Sequence, residues 1–79
     1  MKIHHLNIFP ENFNAILLRQ KMFEVREKRG RNFAEGDDIM LHEFDGKLIT
    51  GRTLFVKITY VLDNPDYCKD GFVVLGINF

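Results

Sequence analysis

Residues 19–31, RQKMFEVREKRGR, carry six basic side chains: Arg19, Lys21, Arg26, Lys28, Arg29 and Arg31. Only Glu24 and Glu27 oppose them, so the segment has a formal charge of +4. The whole chain is neutral, with 11 basic and 11 acidic residues, and the remainder therefore carries −4. A contiguous basic stretch on an otherwise acidic molecule attracts phosphate or another anion. Arg26 offers a planar fork of donors suited to a phosphate or a base edge, and Lys21 a mobile point charge. Glu24 can accept from the amino group of a base, or pair with Lys21 or Arg26 and hold them in place. As a plain exposed ion pair, Glu24 and Arg26 would contribute only about 0 to 1 kcal/mol. RNA modules commonly stack single-stranded bases on aromatic rings, and Phe33, Tyr60 and Tyr67 are the candidate rings. Glu43 and Arg52 complete the candidate set: ligand contacts at Lys21, Glu24, Arg26, Lys28, Arg29, Arg31, Glu43, Arg52 and Tyr60.

Other chemistry is sparse. His4, His5 and His42 are metal-capable, but neighbours on a strand point to opposite faces, so at most one of His4 and His5 serves any one site. Structural or solvent-facing roles are expected for all three, with no metal and no cofactor. Cys68, the single cysteine, lies in a polar stretch and excludes both an internal disulfide and a multi-cysteine zinc site. A lone cysteine suits a reducing compartment. The start, MKIHHLNIF, lacks a signal-peptide pattern, and no apolar run approaches the roughly 20 residues of a membrane helix. The expectation is a soluble, cytoplasmic protein.

The 79 residues fit one domain, 1–79, whose site must share residues with the core. HHLNIF (4–9) alternates as a strand with Leu6 and Ile8 on one face. Pro10 and Glu11 suit the first turn of a helix. Phe13, Ile16 and Leu17 give that helix, residues 10 to 19, an apolar stripe. KMFEVREK (21–28) alternates with Phe23 and Val25 toward the core and Met22, Glu24 and Arg26 on the charged face. Further strands are expected at 39–44, 52–62 and 72–79. Turns are expected at Asp45-Gly46 and at Thr50-Gly51, with a polar loop at 63–71. Leu54, Val56, Ile58 and Tyr60 should share one face of the long strand, and the apolar final strand should be central. Five or six mainly antiparallel strands with one helix predict an α+β, mainly β domain. The expected form is a small barrel with the helix across one opening.

Several segments together resemble the ASCH domains of the PUA-like superfamily. The strand–Pro–helix entry leads to Lys21-x-x-Glu24-x-Arg26, which is similar to their G-x-K-x-x-E-x-R signature. F-x-x-GD-x-I-x-L-x-E-F at 33–44, TGR…ITYVL at 50–62 and GFVVLGI at 71–77 are similar to the segments that follow. The resemblance covers nearly the whole chain and is strongest to a compact bacterial branch, sometimes named after an activating signal cointegrator. It departs at Arg19, where the family carries a glycine suited to a left-handed helix cap. The resemblance implies a PUA-like barrel with the signature Lys, Glu and Arg facing a cleft beside the helix. That places Lys21 before the regular strand begins. It also implies an RNA or nucleotide-like ligand. Some ASCH proteins hydrolyse an amide of acetylated cytidine with a threonine three residues after the signature lysine. Glu24 stands there and cannot supply that nucleophile, which argues against this activity. A small hydrolase acting on a modified nucleoside and an interaction domain for an acidic protein partner are the rival readings. An exposed sheet edge would also allow pairing with a second copy.

Overall fold

The computed structural model describes residues 1–79. In chain order it contains β1 (Ile3–Ile8), α1 (Pro10–Leu17), β2 (Phe23–Glu27), β3 (Asp38–Phe44), β4 (Ile49–Leu62) and β5 (Phe72–Asn78). They form one five-stranded sheet in the order β1-β3-β4-β5-β2. The β1–β3 pair is parallel, and the other three pairs are antiparallel. No helix is long and apolar enough to cross a membrane.

The inner face of the sheet buries Leu6 and Ile8 of β1, Ile39 and Leu41 of β3, Val56 and Ile58 of β4, and Val73, Leu75 and Ile77 of β5. Phe13 and Ile16 of α1 close over them, while Leu17, expected in the same stripe, is exposed. β5 lies between β4 and β2, as its apolar sequence suggests, with its outward side chains half-buried.

Four expectations are corrected. The first concerns β2, which gives no apolar residue to the core. Glu24 opposes the buried Leu75 and points inward at 3% exposure, whereas Phe23 and Val25 are 46% and 53% exposed. Period-two alternation defines two faces but does not say which is inside. Charge goes inward here because Glu24 finds cationic partners there.

The second concerns Thr50-Gly51, which is no turn but part of β4. His42 pairs Thr53 while Phe44 pairs Ile49, so residues 50–52 oppose Glu43 alone. This is a β-bulge, and Gly51 takes the positive φ of 98° that it requires. The third concerns Tyr60. A second irregularity, between Ile58 and Tyr60, moves Tyr60 off the Val56–Ile58 face to the outer one, where it opposes Gly76. A Cβ at Gly76 would lie 3.0 Å from Thr59 Oγ1 and 3.4 Å from Tyr60 Cβ, so the glycine admits the bulge.

The fourth concerns the barrel. The sheet is not closed: β1 and β2 are its two edges and share no ladder. Side chains span the seam instead. Arg26 Nη2 donates to the Asn7 carbonyl at 2.8 Å, and Arg31 Nη1 to the His5 carbonyl at 3.3 Å. Guanidinium groups thus take the place that strand N–H groups would fill in a closed barrel.

Candidate functional site

The helix–strand junction positions the signature residues. Arg19 N donates to Ile16 O at 2.9 Å and Gln20 N to Ala15 O at 2.8 Å, the two bonds of a Schellman cap. Arg19 takes the left-handed position with φ 60°. The conformation that favours glycine is kept with an arginine in it. The chain then turns back, and Lys21 lies ahead of β2.

Glu24 is the hub of this junction. Its Oε1 accepts from Lys21 Nζ at 3.1 Å, and its Oε2 from Arg26 Nε at 2.9 Å. Arg26 Nη2 is also 2.9 Å from Oε2. Lys21 Nζ donates further to Asn12 Oδ1 of α1 at 3.0 Å. The carboxylate is therefore spent on two cations of its own chain, and those cations tie it to the helix and to β1. A buried carboxylate held this way is a strut that fixes Arg26 at the seam.

Beyond Arg26 the seam opens into a cleft of about 330 Å³, lined by His5, Leu6, Asn7, Arg26, Glu27, Arg29 and Arg31. Three arginines face one acidic residue there. Arg29 is held only by Glu27, through Nε to Oε2 at 3.2 Å, and is largely exposed. Arg31 makes one long bond to the His5 carbonyl. Most guanidinium donors of these residues remain open to an anion. Lys28 turns away and pairs with Asp63 at 3.0 Å.

The remaining candidates do not join this cleft. Arg52 Nε and Nη2 clasp Glu43 at 3.1 and 2.9 Å, and Thr50 Oγ1 donates to it at 2.6 Å. Both donors are brought onto Glu43 by the Thr50-Gly51-Arg52 bulge. Arg52 holds the Glu43 carboxyl below its usual range, with Thr50 adding to the effect. Arg52 also bonds Asn14 Oδ1 at 2.7 Å and lies 4.3 Å above the Phe13 ring, so this cluster braces α1. Tyr60 is on the outer face, Tyr67 on the exposed 63–71 loop, and Phe33 against the core beside His4 at 4.7 Å. None of the three rings lines the cleft.

Sequence reasoning missed Asn7, Asn12 and Asn14. Asn7 acts through its backbone carbonyl, which leaves no side-chain signal; Asn12 meets Lys21 only because the chain turns back after α1, and Asn14 reaches Arg52 far along the chain. It also missed the buried pair of His4 Nε2 and Asp37 Oδ2, 2.9 Å apart. The bond from His4 is the main reason the Asp37 carboxyl is held below its usual range, and the Lys2 and Ala34 backbone N–H groups assist. Asp37 thereby ties the start of β1 to the turn before β3.

Fold and site define a small, mostly β domain with a cationic seam between its sheet edges. Residues 3–77 match the family described as a domain of unknown function (DUF3850), and the chain belongs to that family. It is also similar to the "Uncharacterized 12.9 kDa protein in GpA 3'region" of Escherichia phage P2, at 36% identity over 69 residues. That match covers 87% of this chain and 62% of the phage protein, so the chain spans under two thirds of that relative's length.

Proposed function

We propose that this domain is an ASCH-type, PUA-like module that binds RNA or a nucleotide-like ligand through phosphate contacts at the β1–β2 seam. The observation that carries the reading is the seam cleft, where Arg26, Arg29 and Arg31 converge with many donors unspent. Of the Lys21-x-x-Glu24-x-Arg26 signature only Arg26 lines this cleft; Lys21 and Glu24 line a neighbouring cleft of about 250 Å³ beside α1, together with Asn12 and Arg26. Glu24 acts as a strut in this reading and does not read a base. With His5 the one ring among the lining residues and no Phe or Tyr there, the site takes mainly the sugar–phosphate chain, with little sequence preference. The amidohydrolase alternative gains no support at Lys21, whose ammonium is engaged by Asn12 and Glu24, while Thr50 serves Glu43.

The test is fluorescence anisotropy of a labelled single-stranded RNA at two salt concentrations. Three phosphate contacts predict a log–log salt slope of about −2, or roughly a twenty-fold loss of affinity between 50 and 200 mM salt. Arg29→Ala/Arg31→Ala should reduce the slope to about −0.7. An affinity indifferent to salt, or no binding at low salt, refutes the reading and leaves an acidic protein partner to be sought.

A further inference from the structure

The seam cleft is the middle of a longer groove. Toward the start of β1 it opens into a second cleft of about 340 Å³, whose walls include Lys2, His5, Gly30, Arg31 and Asn32 and no acidic residue. His5 and Arg31 line both clefts. Toward α1 the seam cleft shares Asn7, Arg26 and Glu27 with the cleft that holds Lys21 and Glu24. All three follow β1, whose six residues extend about 20 Å. Arg31 and Arg26 cross to it as two rungs, at the carbonyls of His5 and Asn7. Those carbonyls are two residues apart, about 6.7 Å, the scale of one step along a sugar–phosphate chain.

The two ends of the groove differ in charge. At the α1 end Glu24 and Glu27 line the wall, and the Lys21 ammonium is engaged by Glu24 and Asn12. At the other end the neighbouring carboxylates are already taken. Asp37 is bonded to His4 and accepts from the backbone N–H groups of Lys2 and Ala34, and Asp38 pairs with Lys57. Lys2 is exposed, and its ammonium joins none of the ion pairs of the chain. Arg31 is held where the two clefts meet by the turn from Lys28, closed by Arg31 N to Lys28 O at 2.8 Å. Arg29 and Gly30 at its centre have φ of 47° and 78°, positive at both positions as in a type I′ turn.

Resting on the seam as an anion site, we propose that its ligand is a single nucleic-acid strand of several nucleotides, not a free nucleotide, and that Lys2, Arg31 and Asn32 form a further phosphate subsite at the open end of the groove. The strand lies along β1 and leaves past Lys2, away from α1 and the carboxylates of Glu24 and Glu27. Lys2 adds one phosphate contact to those of Arg26, Arg29 and Arg31, and the Asn32 amide is a neutral donor beside it. A mononucleotide meets one position of this row and leaves the others to water. A groove that combines cationic side chains along its length with few rings to stack on follows the backbone of a strand and tolerates its sequence.

The test is anisotropy of labelled oligouridylates of increasing length, from a dinucleotide to an octanucleotide, at 50 and 200 mM salt. Affinity should rise with length and level off once the strand spans the groove. A strand that reaches only the arginines has the log–log salt slope of about −2, and one that also reaches Lys2 has a slope of about −2.8, a loss of roughly fifty-fold over that salt range. Lys2→Ala keeps the backbone N–H that bonds Asp37, and should return the octanucleotide to a slope of about −2. Lys47→Ala removes the same charge from the turn after β3, off the groove, and should leave the slope as it is. Circular dichroism checks that both variants remain folded. A dinucleotide that binds as tightly as the octanucleotide, or a slope that Lys2→Ala does not change, overturns the extended groove and leaves the seam holding a small anion. No binding at any length overturns the seam reading itself, and the extension with it.

Discussion

Glu24→Gln separates the two roles Glu24 could play, because a strut and a ligand contact respond differently. The carboxylate is 3% exposed and bonds Lys21 at 3.1 Å and Arg26 at 2.9 Å. Breaking a buried ion pair from one side costs about 3–5 kcal/mol. The two cations here are each 22% exposed and can turn partly to water, which puts Glu24→Ala near 3 kcal/mol by the same scale. Glutamine keeps one acceptor and loses the charge, for a cost of about 1.5–2 kcal/mol. A domain of this size loses about 4–8 °C in Tm per kcal/mol, so Glu24→Gln should melt roughly 6–16 °C lower. Anion affinity should move the other way. A unit negative charge roughly 6 Å from a bound phosphate in a water-like medium is worth about 0.7 kcal/mol, so its removal should tighten RNA binding about threefold. Thermal melts and anisotropy at a temperature where both proteins are folded read the two effects separately. An unchanged Tm would refute the strut. A destabilised variant that also loses RNA affinity would show that Glu24 contacts the ligand directly.

Two further predictions concern the scaffold. Arg19→Gly relieves a left-handed residue, worth about 1 kcal/mol or more, but gives up the contact of the guanidinium with the Phe79 ring at 4.8 Å. The net gain should be about 0.5 kcal/mol, or a Tm roughly 2–4 °C higher; a lower Tm would show that the ring contact outweighs the strain. The folded Glu43 carboxyl lies below its ordinary 4.5, so it stabilises the fold fully above that pH, and the contribution is lost as pH falls through the lowered value. In urea unfolding, the gap between wild type and Glu43→Gln should close on acidification below about 4.5; a gap constant with pH would contradict the Arg52 clasp.

Much of this architecture is readable in the residues. The Leu6/Ile8 alternation, the Pro10 start of α1 and the Asp45-Gly46 turn are local signals, and each appears where its physics puts it. Asp45 Oδ1 accepts from Lys47 and Leu48 N–H at 2.9 Å each, and these bonds hold its carboxyl below the usual range. What failed depends on distant partners. Phe23 and Val25 are the exception: Glu24 turns inward onto its near neighbours Lys21 and Arg26, and alternation alone does not say which face is inside. Tyr60 shares the parity of Val56 and Ile58, and only the bulge opposite Gly76 moves it outside. The open seam is a relation between strands far apart in the chain, closed by guanidinium groups whose targets are backbone carbonyls. The basic character of residues 19–31 was visible, and so was Glu24 as a partner that holds Lys21 and Arg26 in place; the position of the cleft at the seam was not.

The most direct test of the seam is an amide NMR titration of the ¹⁵N-labelled protein with a short single-stranded RNA. Shifts concentrated at His5–Asn7 and at residues 26–31, on the two sides of the seam, are the predicted result. Shifts centred on Phe23, Val25 and Tyr60, or none at low salt, would contradict it.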